Sequence, residues 1–238
     1  MNYKKIDMAN WERKNEFIIF TKIMPSYYSF TVDIDVTETY HMLKEKKFKT
    51  FPAMLYAVNK ALNLVPEFRL GYENHELVCY DNIYPTFPYF HESTHSCSIL
   101  WLPVNDSFAE FHEAYKECIQ KYGSSTSYEV AVKNPAPKNI YNISMEHRIH
   151  FNSASFMPMS NSKEPLLNPI VMCGKFLEEN GRMIMPVSLT LHHAVGDGYH
   201  ASLFFNKIQQ MYSSPEEWLN RSLMSKCRTL SVKILCGN

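Results

Sequence analysis

Segments patterned as helices and segments patterned as strands follow one another in this chain without regular alternation, and that order narrows the fold sharply. A strict strand–helix repeat would give a parallel sheet wrapped on both faces. An irregular mixture predicts an α+β domain, a two-layer arrangement in which a mixed sheet is covered by helices. The strand signal is clear over 28–36, where Phe30, Val32, Ile34 and Val36 fall on one side and Thr31, Asp33 and Asp35 on the other. Further strands are predicted at 88–90, 97–102, 140–144, 150–156, 170–176 and 183–191, with Gly181 turning a hairpin between the last two. A hairpin is also predicted over 69–81, turning at Glu73–His75. Helices are predicted at 10–20, opened by Asn10 and stopped by Pro25, and at 37–46, 51–65, 108–122 and 199–212. The Ser-rich stretch 124–138, with two prolines, reads as a loop. Residues 1–219 are expected to form one domain. Residues 220–238 carry Arg221, Lys226, Arg228 and Lys233 without an acid, and are expected to form a weakly ordered basic tail with a short strand at 230–235.

Charge and cysteine content exclude several classes of function. Lys+Arg and Asp+Glu are equal at 24 each, so there is no global field to attract nucleic acid or an acidic membrane. No apolar stretch approaches the roughly 18 residues of a membrane span, and Met1–Asp7 has no apolar run behind its lysines. The expectation is a cytoplasmic protein with no nucleic-acid or membrane partner. No two of Cys79, Cys97, Cys118, Cys173, Cys227 and Cys236 are separated by two residues, so neither a zinc knuckle nor a thioredoxin-like motif is present. Thiols in a reducing compartment are expected.

One segment carries recognisable chemistry. The alternating run Met185–Leu191 leads into His192-His193-Ala194-Val195-Gly196-Asp197-Gly198. A strand therefore delivers two histidines to a tight turn that two glycines permit, and a helix follows from Tyr199. Histidine suits proton abstraction because its ordinary pKa of roughly 6.5 lies near working pH. Asp197 could orient a ring or hold the loop. The motif alone admits a general base, a structural histidine pair or a metal site, although no third ligand is evident nearby.

The whole chain, to about Trp218, resembles the chloramphenicol acetyltransferase family. The resemblance is carried by Trp11-Glu12-Arg13 with Phe17, Lys49–Ala53, Pro66–Arg69, Glu76–Val78, Phe90–Glu92 with Thr94 and Ser98, Leu100-Trp101, Gly174-Lys175, Met185-Pro186 and the His192–Gly198 segment, all in the family's order. It implies a CoA-dependent acyltransferase fold and transfer of the acetyl group of acetyl-CoA to the 3-hydroxyl of chloramphenicol. Acetyl-CoA would be a co-substrate, with no permanently bound cofactor and no metal. His193 would be the general base, acting without an acyl-enzyme, and Ser144 the hydroxyl that stabilises the oxyanion. Asp197 would be structural, paired with Arg13. Lys49 and Lys175 would bind CoA. Phe20, Met24, Ser26, Tyr28 and Met172 correspond to the acceptor pocket. The family forms homotrimers with active sites at subunit interfaces, which the resemblance extends to this chain.

The chain departs from the family pattern in three places. The Pro-Trp that follows the oxyanion serine is absent, and charged residues stand near its place after Ser144. A threonine two residues before the glycine of Gly-Lys is Met172, whose thioether cannot donate a hydrogen bond. The cysteine before the aspartate is Gly196. These changes leave open acetyl transfer to another hydroxyl acceptor, or capture of CoA or drug with little turnover. A dihydrolipoyl acyltransferase of similar fold would carry lipoyl and subunit-binding domains ahead of the catalytic one, and is the less favoured alternative.

Overall fold

The computed structural model describes residues 2–103, 106–158 and 164–219; the expected tail and its strand at 230–235 lie outside them. In chain order the elements are β1 (Tyr3–Lys5), α1 (Lys14–Ile18) running into a π-helical turn (Ile19–Ile23), β2 (Tyr27–Asp35), α2 (Thr37–Glu45), α3 (Thr50–Leu64), a 3-10 turn (Pro66–Arg69), β3 (Leu70–Glu73), β4 (Glu76–Tyr80), β5 (Tyr84–His91) and β6 (Ser96–Trp101). They continue as α4 (Phe108–Tyr122), α5 (Ser127–Lys133), β7 (Ile140–Met145), β8 (Ile170–Cys173), β9 (Leu177–Glu179), β10 (Arg182–His192), α6 (Gly198–Ser213) and α7 (Glu216–Leu219). Seven strands form one mixed sheet in the order β2-β10-β8-β7-β5-β6, with β9 on β10, and β1-β4-β3 form a small antiparallel sheet. Pairs β5·β7 and β7·β8 are parallel and the others antiparallel. This is the expected α+β architecture, a mixed sheet covered by helices.

β10 organises the sheet. Met185, Val187, Leu189 and Leu191 are at most 1% exposed and join the buried residues of α3 and α6 in one core. On the other face Ser188, Thr190 and His192 are polar and buried. Ser188 donates to Ala154 O, and Thr190 pairs with Ser29 at 2.5 Å. Pro186 sits inside this long strand without breaking it. Its carbonyl accepts from Gly174 N–H at 2.9 Å, so its missing donor faces the gap where β8 pairing ends and β9 pairing begins.

Three sequence expectations are corrected. Asn10 does not open a helix, because its amide and the Ala9 N–H both bind the Asp7 carboxylate in a local turn; α1 starts only at Lys14. The stretch 124–138 is not all loop. Thr126 and Glu129 form a reciprocal capping box that starts α5. The segment 150–156 is not a strand: β8 already pairs β7 on one side and β10 on the other. The segment instead crosses the polar face of β10 and β2, held through Ala154 to Ser188 and Thr31. Asn74 and His75 adopt positive φ of 51° and 68° in the β3–β4 hairpin, as expected for that turn.

Candidate active site

The histidine pair lies where β10 runs out of sheet. His192 is the last residue paired with β2, and His193 N–H still donates to Ser26 O at 2.8 Å. The two rings hold opposite tautomers. His193 Nδ1 lies 3.1 Å from Gly196 O. A carbonyl only accepts, so Nδ1 carries the proton and Nε2 keeps its lone pair. His192 Nδ1 accepts from Ala194 N–H at 3.2 Å, which puts the proton of the neutral ring on Nε2. Burial, together with the neighbouring His193, lowers the His192 pKa to about 4. It is therefore a neutral turn-holder at working pH, and His193 is the ring with a free basic nitrogen.

Aromatic side chains fix the His193 ring. Phe20 stacks on it at 3.7 Å and 12°, and Tyr28 meets it edge-on at 5.1 Å. Phe20 reaches this position from the π-helical turn, a geometry often found at functional sites. Ser26 Oγ, Tyr28 Oη and Arg13 Nε are buried around the same turn without hydrogen-bond partners. Met24 closes the π turn and is 55% exposed.

Asp197 ties the turn to two distant parts of the chain. As N-cap of α6 it accepts from Tyr199 N–H at 3.0 Å and His200 Nδ1 at 2.9 Å. The Asp197 N–H also lies 3.4 Å from that nitrogen, but a protonated Nδ1 cannot accept, and the shorter contact prevails. Arg13 Nη1 donates to the other carboxylate oxygen at 3.3 Å. Burial opposes the Asp197 charge, but His200 first and Arg13 second outweigh it and bring its pKa to about 2. His200 Nε2 lies 3.9 Å from Glu67 Oε2, extending the network to the 3-10 turn. Sequence reasoning passed over His200. Its signal was the spacing, three residues after a helix N-cap aspartate.

The remaining candidates lie elsewhere. Ser144 on β7 and Met172 on β8 are register partners and line one largely apolar pocket of about 470 Å³ with Phe87, Ile99 and Phe156. Ser188 on β10 is in the same row, five residues before His193. At about 3.4 Å per residue and about 4.8 Å per strand, Ser144 and His193 of one chain stand roughly 20 Å apart. The five residues assigned to an acceptor pocket thus divide: Phe20, Met24, Ser26 and Tyr28 stand with His193, and Met172 with Ser144. Lys175 lines a cleft of about 720 Å³ together with Tyr40, Lys44, Phe90, His147 and Phe176. Exposed Lys49 directly precedes Thr50 and Phe51, which also line it. Among the described residues no three His, Cys, Asp or Glu side chains converge as metal ligands.

The chain is similar to known proteins over nearly its whole length. Residues 1–209 match the chloramphenicol acetyltransferase family. A chloramphenicol acetyltransferase of Staphylococcus aureus is 34% identical over 220 residues, 92% of this chain and 100% of the relative. One from Bacillus pumilus is 35% identical over 222 residues, covering 93% and 98%. Chloramphenicol acetyltransferase 3 of Escherichia coli is 31% identical over 214 residues, covering 90% and 99%. A solved chloramphenicol acetyltransferase superposes with a TM-score of 0.78 at 24% identity, over 89% of this chain and 100% of that one. A dihydrolipoamide acetyltransferase of Azotobacter vinelandii shares the fold, with a TM-score of 0.63 at 17% identity over 81% and 84%. The fold is that of the CoA-dependent acyltransferases. Within that class, the chain belongs to the chloramphenicol acetyltransferase family.

Proposed function

We propose that this chain transfers the acetyl group of acetyl-CoA to the 3-hydroxyl of chloramphenicol, inactivating the antibiotic. The observation that carries the chemistry is the His193 ring, held by Gly196 O with its Nε2 lone pair free. Nε2 takes the proton of the acceptor hydroxyl as that oxygen attacks the thioester carbonyl. The negative charge that develops on the carbonyl oxygen is met by the Ser144 hydroxyl, a contact typically worth about 3 kcal/mol in the transition state. When the tetrahedral intermediate collapses, the C–S bond breaks and the imidazolium returns its proton to the departing thiolate. No acyl-enzyme is formed. Asp197 and Arg13 hold the turn and do not touch the reacting atoms.

The separation of roughly 20 Å between Ser144 and His193 in one chain supports a site shared between copies, with His193 of one facing the Ser144–Met172 pocket of the next in a homotrimer. The cleft with Lys175, and Lys49 at its margin, receives the acyl donor. No described helix is long and apolar enough to cross a membrane. The test is coenzyme A release from acetyl-CoA with and without chloramphenicol. Release that depends on the drug and disappears in His193→Ala supports the proposal. Equal release by both proteins refutes the base assignment.

A further inference from the structure

The segment 146–150, where charged residues replace the family's Pro-Trp, has no part in the proton transfer described above. Its path is fixed. Glu146 N–H donates to Cys173 O and Lys175 N–H to Ile149 O, both at 2.8 Å, so residues 147–148 form a turn that bulges between two bonds to the chain leaving β8. His150 Nδ1 lies 3.1 Å from Lys175 O. The turn residues His147 and Arg148 thus directly precede the two residues, Ile149 and His150, that bond the Lys175 backbone. His147 and Lys175 line the large cleft, and the Arg148 guanidinium lies 5.0 Å over the ring of Phe90, another wall residue. Lys44 adds a further cation, placed over the Tyr40 ring at 5.3 Å. The acids nearby are Glu92 in the cleft wall and Glu146. Glu146 Oε1 accepts the Arg148 backbone N–H at 2.9 Å and is 3.9 Å from its Nε. Among the described residues the Nη atoms of Arg148 make no hydrogen bond, and the side chain is 56% exposed.

We infer that Arg148, assisted by His147, binds a phosphate of the nucleotide end of the acyl donor, alongside Lys175. The inference rests on the acetyl-CoA reading proposed above. A planar guanidinium offers two parallel N–H groups to a phosphate, and the ring beneath limits the orientations it must give up on binding. A Pro-Trp pair presents apolar surface and one indole N–H, so this chain exchanges contact area for charge.

Calorimetric titration of the full chain with CoA, 3′-dephospho-CoA and adenosine 3′,5′-bisphosphate tests this. Arg148→Gln weakens CoA binding about tenfold and flattens its salt dependence, while Arg148→Lys loses less. An unchanged melting temperature in both variants separates this effect from misfolding. A penalty confined to CoA and the bisphosphate assigns the 3′-phosphate; an equal penalty for CoA and 3′-dephospho-CoA assigns the pyrophosphate; each supports the inference. An Arg148→Gln protein that binds all three as wild type does overturns the inference and leaves the acyl-transfer reading standing. A wild-type protein that binds no CoA overturns both.

Discussion

Replacing Asp197 with alanine removes the point where the His192–His193 turn, α6 and the N-terminal helix meet. Two losses follow from the structure. The α6 N-cap goes, at a cost of about 1 kcal/mol. Arg13, whose side chain is only 18% exposed and whose Nε already lacks a partner, loses its carboxylate, which adds about 1–3 kcal/mol. The ion pair itself contributes little of this, because the Asp197 side chain is 39% exposed and the contact is screened. For a domain of this size, about 2–4 kcal/mol corresponds to a fall in melting temperature of about 4–16 °C. Asp197→Asn keeps the cap through its Oδ1 but turns an NH2 donor toward Arg13, so it recovers only the cap's share of about 1 kcal/mol. Acid titration gives the matching sign. The Asp197 carboxyl is held near pKa 2, below its ordinary value of about 3.9. Its stabilisation is complete above about pH 4 and is lost as the pH falls through 2. Differential scanning fluorimetry and acetylation rates, measured on Arg13→Ala, Asp197→Ala and the double variant, form the assay. An Asp197→Ala protein melting within about 1 °C of wild type, or strictly additive Arg13 and Asp197 effects, would mean that Asp197 does not hold Arg13 and the turn together.

Gly174→Ala places a Cβ 2.7 Å from Pro186 Cγ and 2.9 Å from the Phe151 ring; overpacking of this kind costs about 1–3 kcal/mol, seen as a lower melting temperature with the hydrogen bonds to 146–150 loosened. Phe20→Leu removes the ring stacked on His193 and lowers kcat about tenfold with little change in KM, measured by steady-state acetylation. His192 titrates near 4 when folded, against about 6.5 when unfolded, so the unfolded chain takes up the extra proton. Stability therefore falls as the pH drops from about 6.5 to 4, and denaturation curves of His192→Asn show a flatter fall across that window.

Much of this was legible in the sequence because it is local. The alternation of 185–191 gives both faces of β10, but the two glycines after His193 do not make the turn by their conformational freedom: neither has a positive φ, and a Cβ on Gly198 would meet nothing within 4 Å. The α5 helix was obscured by its Ser-Ser-Thr-Ser lead, although Thr126 and Glu129 have capping-box spacing. The segment 150–156 alternates like a strand, but the sheet leaves it no edge between β8 and β10, a fact of topology that no local pattern carries. The pairing of Arg13 with Asp197, 184 residues apart, was accessible only through family resemblance. The same holds for Ser144, whose separation from His193 becomes visible only once the β7-β8-β10 register is known. His200 and Arg148 were passed over because one reads as a helix residue and the other as a surface charge until the cap and the cleft are in view.

If the site is shared between copies, His193 of one serves the Ser144 pocket of another. Co-expressing His193→Ala and Ser144→Ala chains and measuring acetyl transfer to chloramphenicol tests it directly. With random assembly about one quarter of the shared sites hold both native residues, so the mixture regains about one quarter of wild-type activity while each variant alone is nearly inactive. A mixture no more active than the two variants assayed separately, in assemblies shown to contain both chains, would contradict the claim.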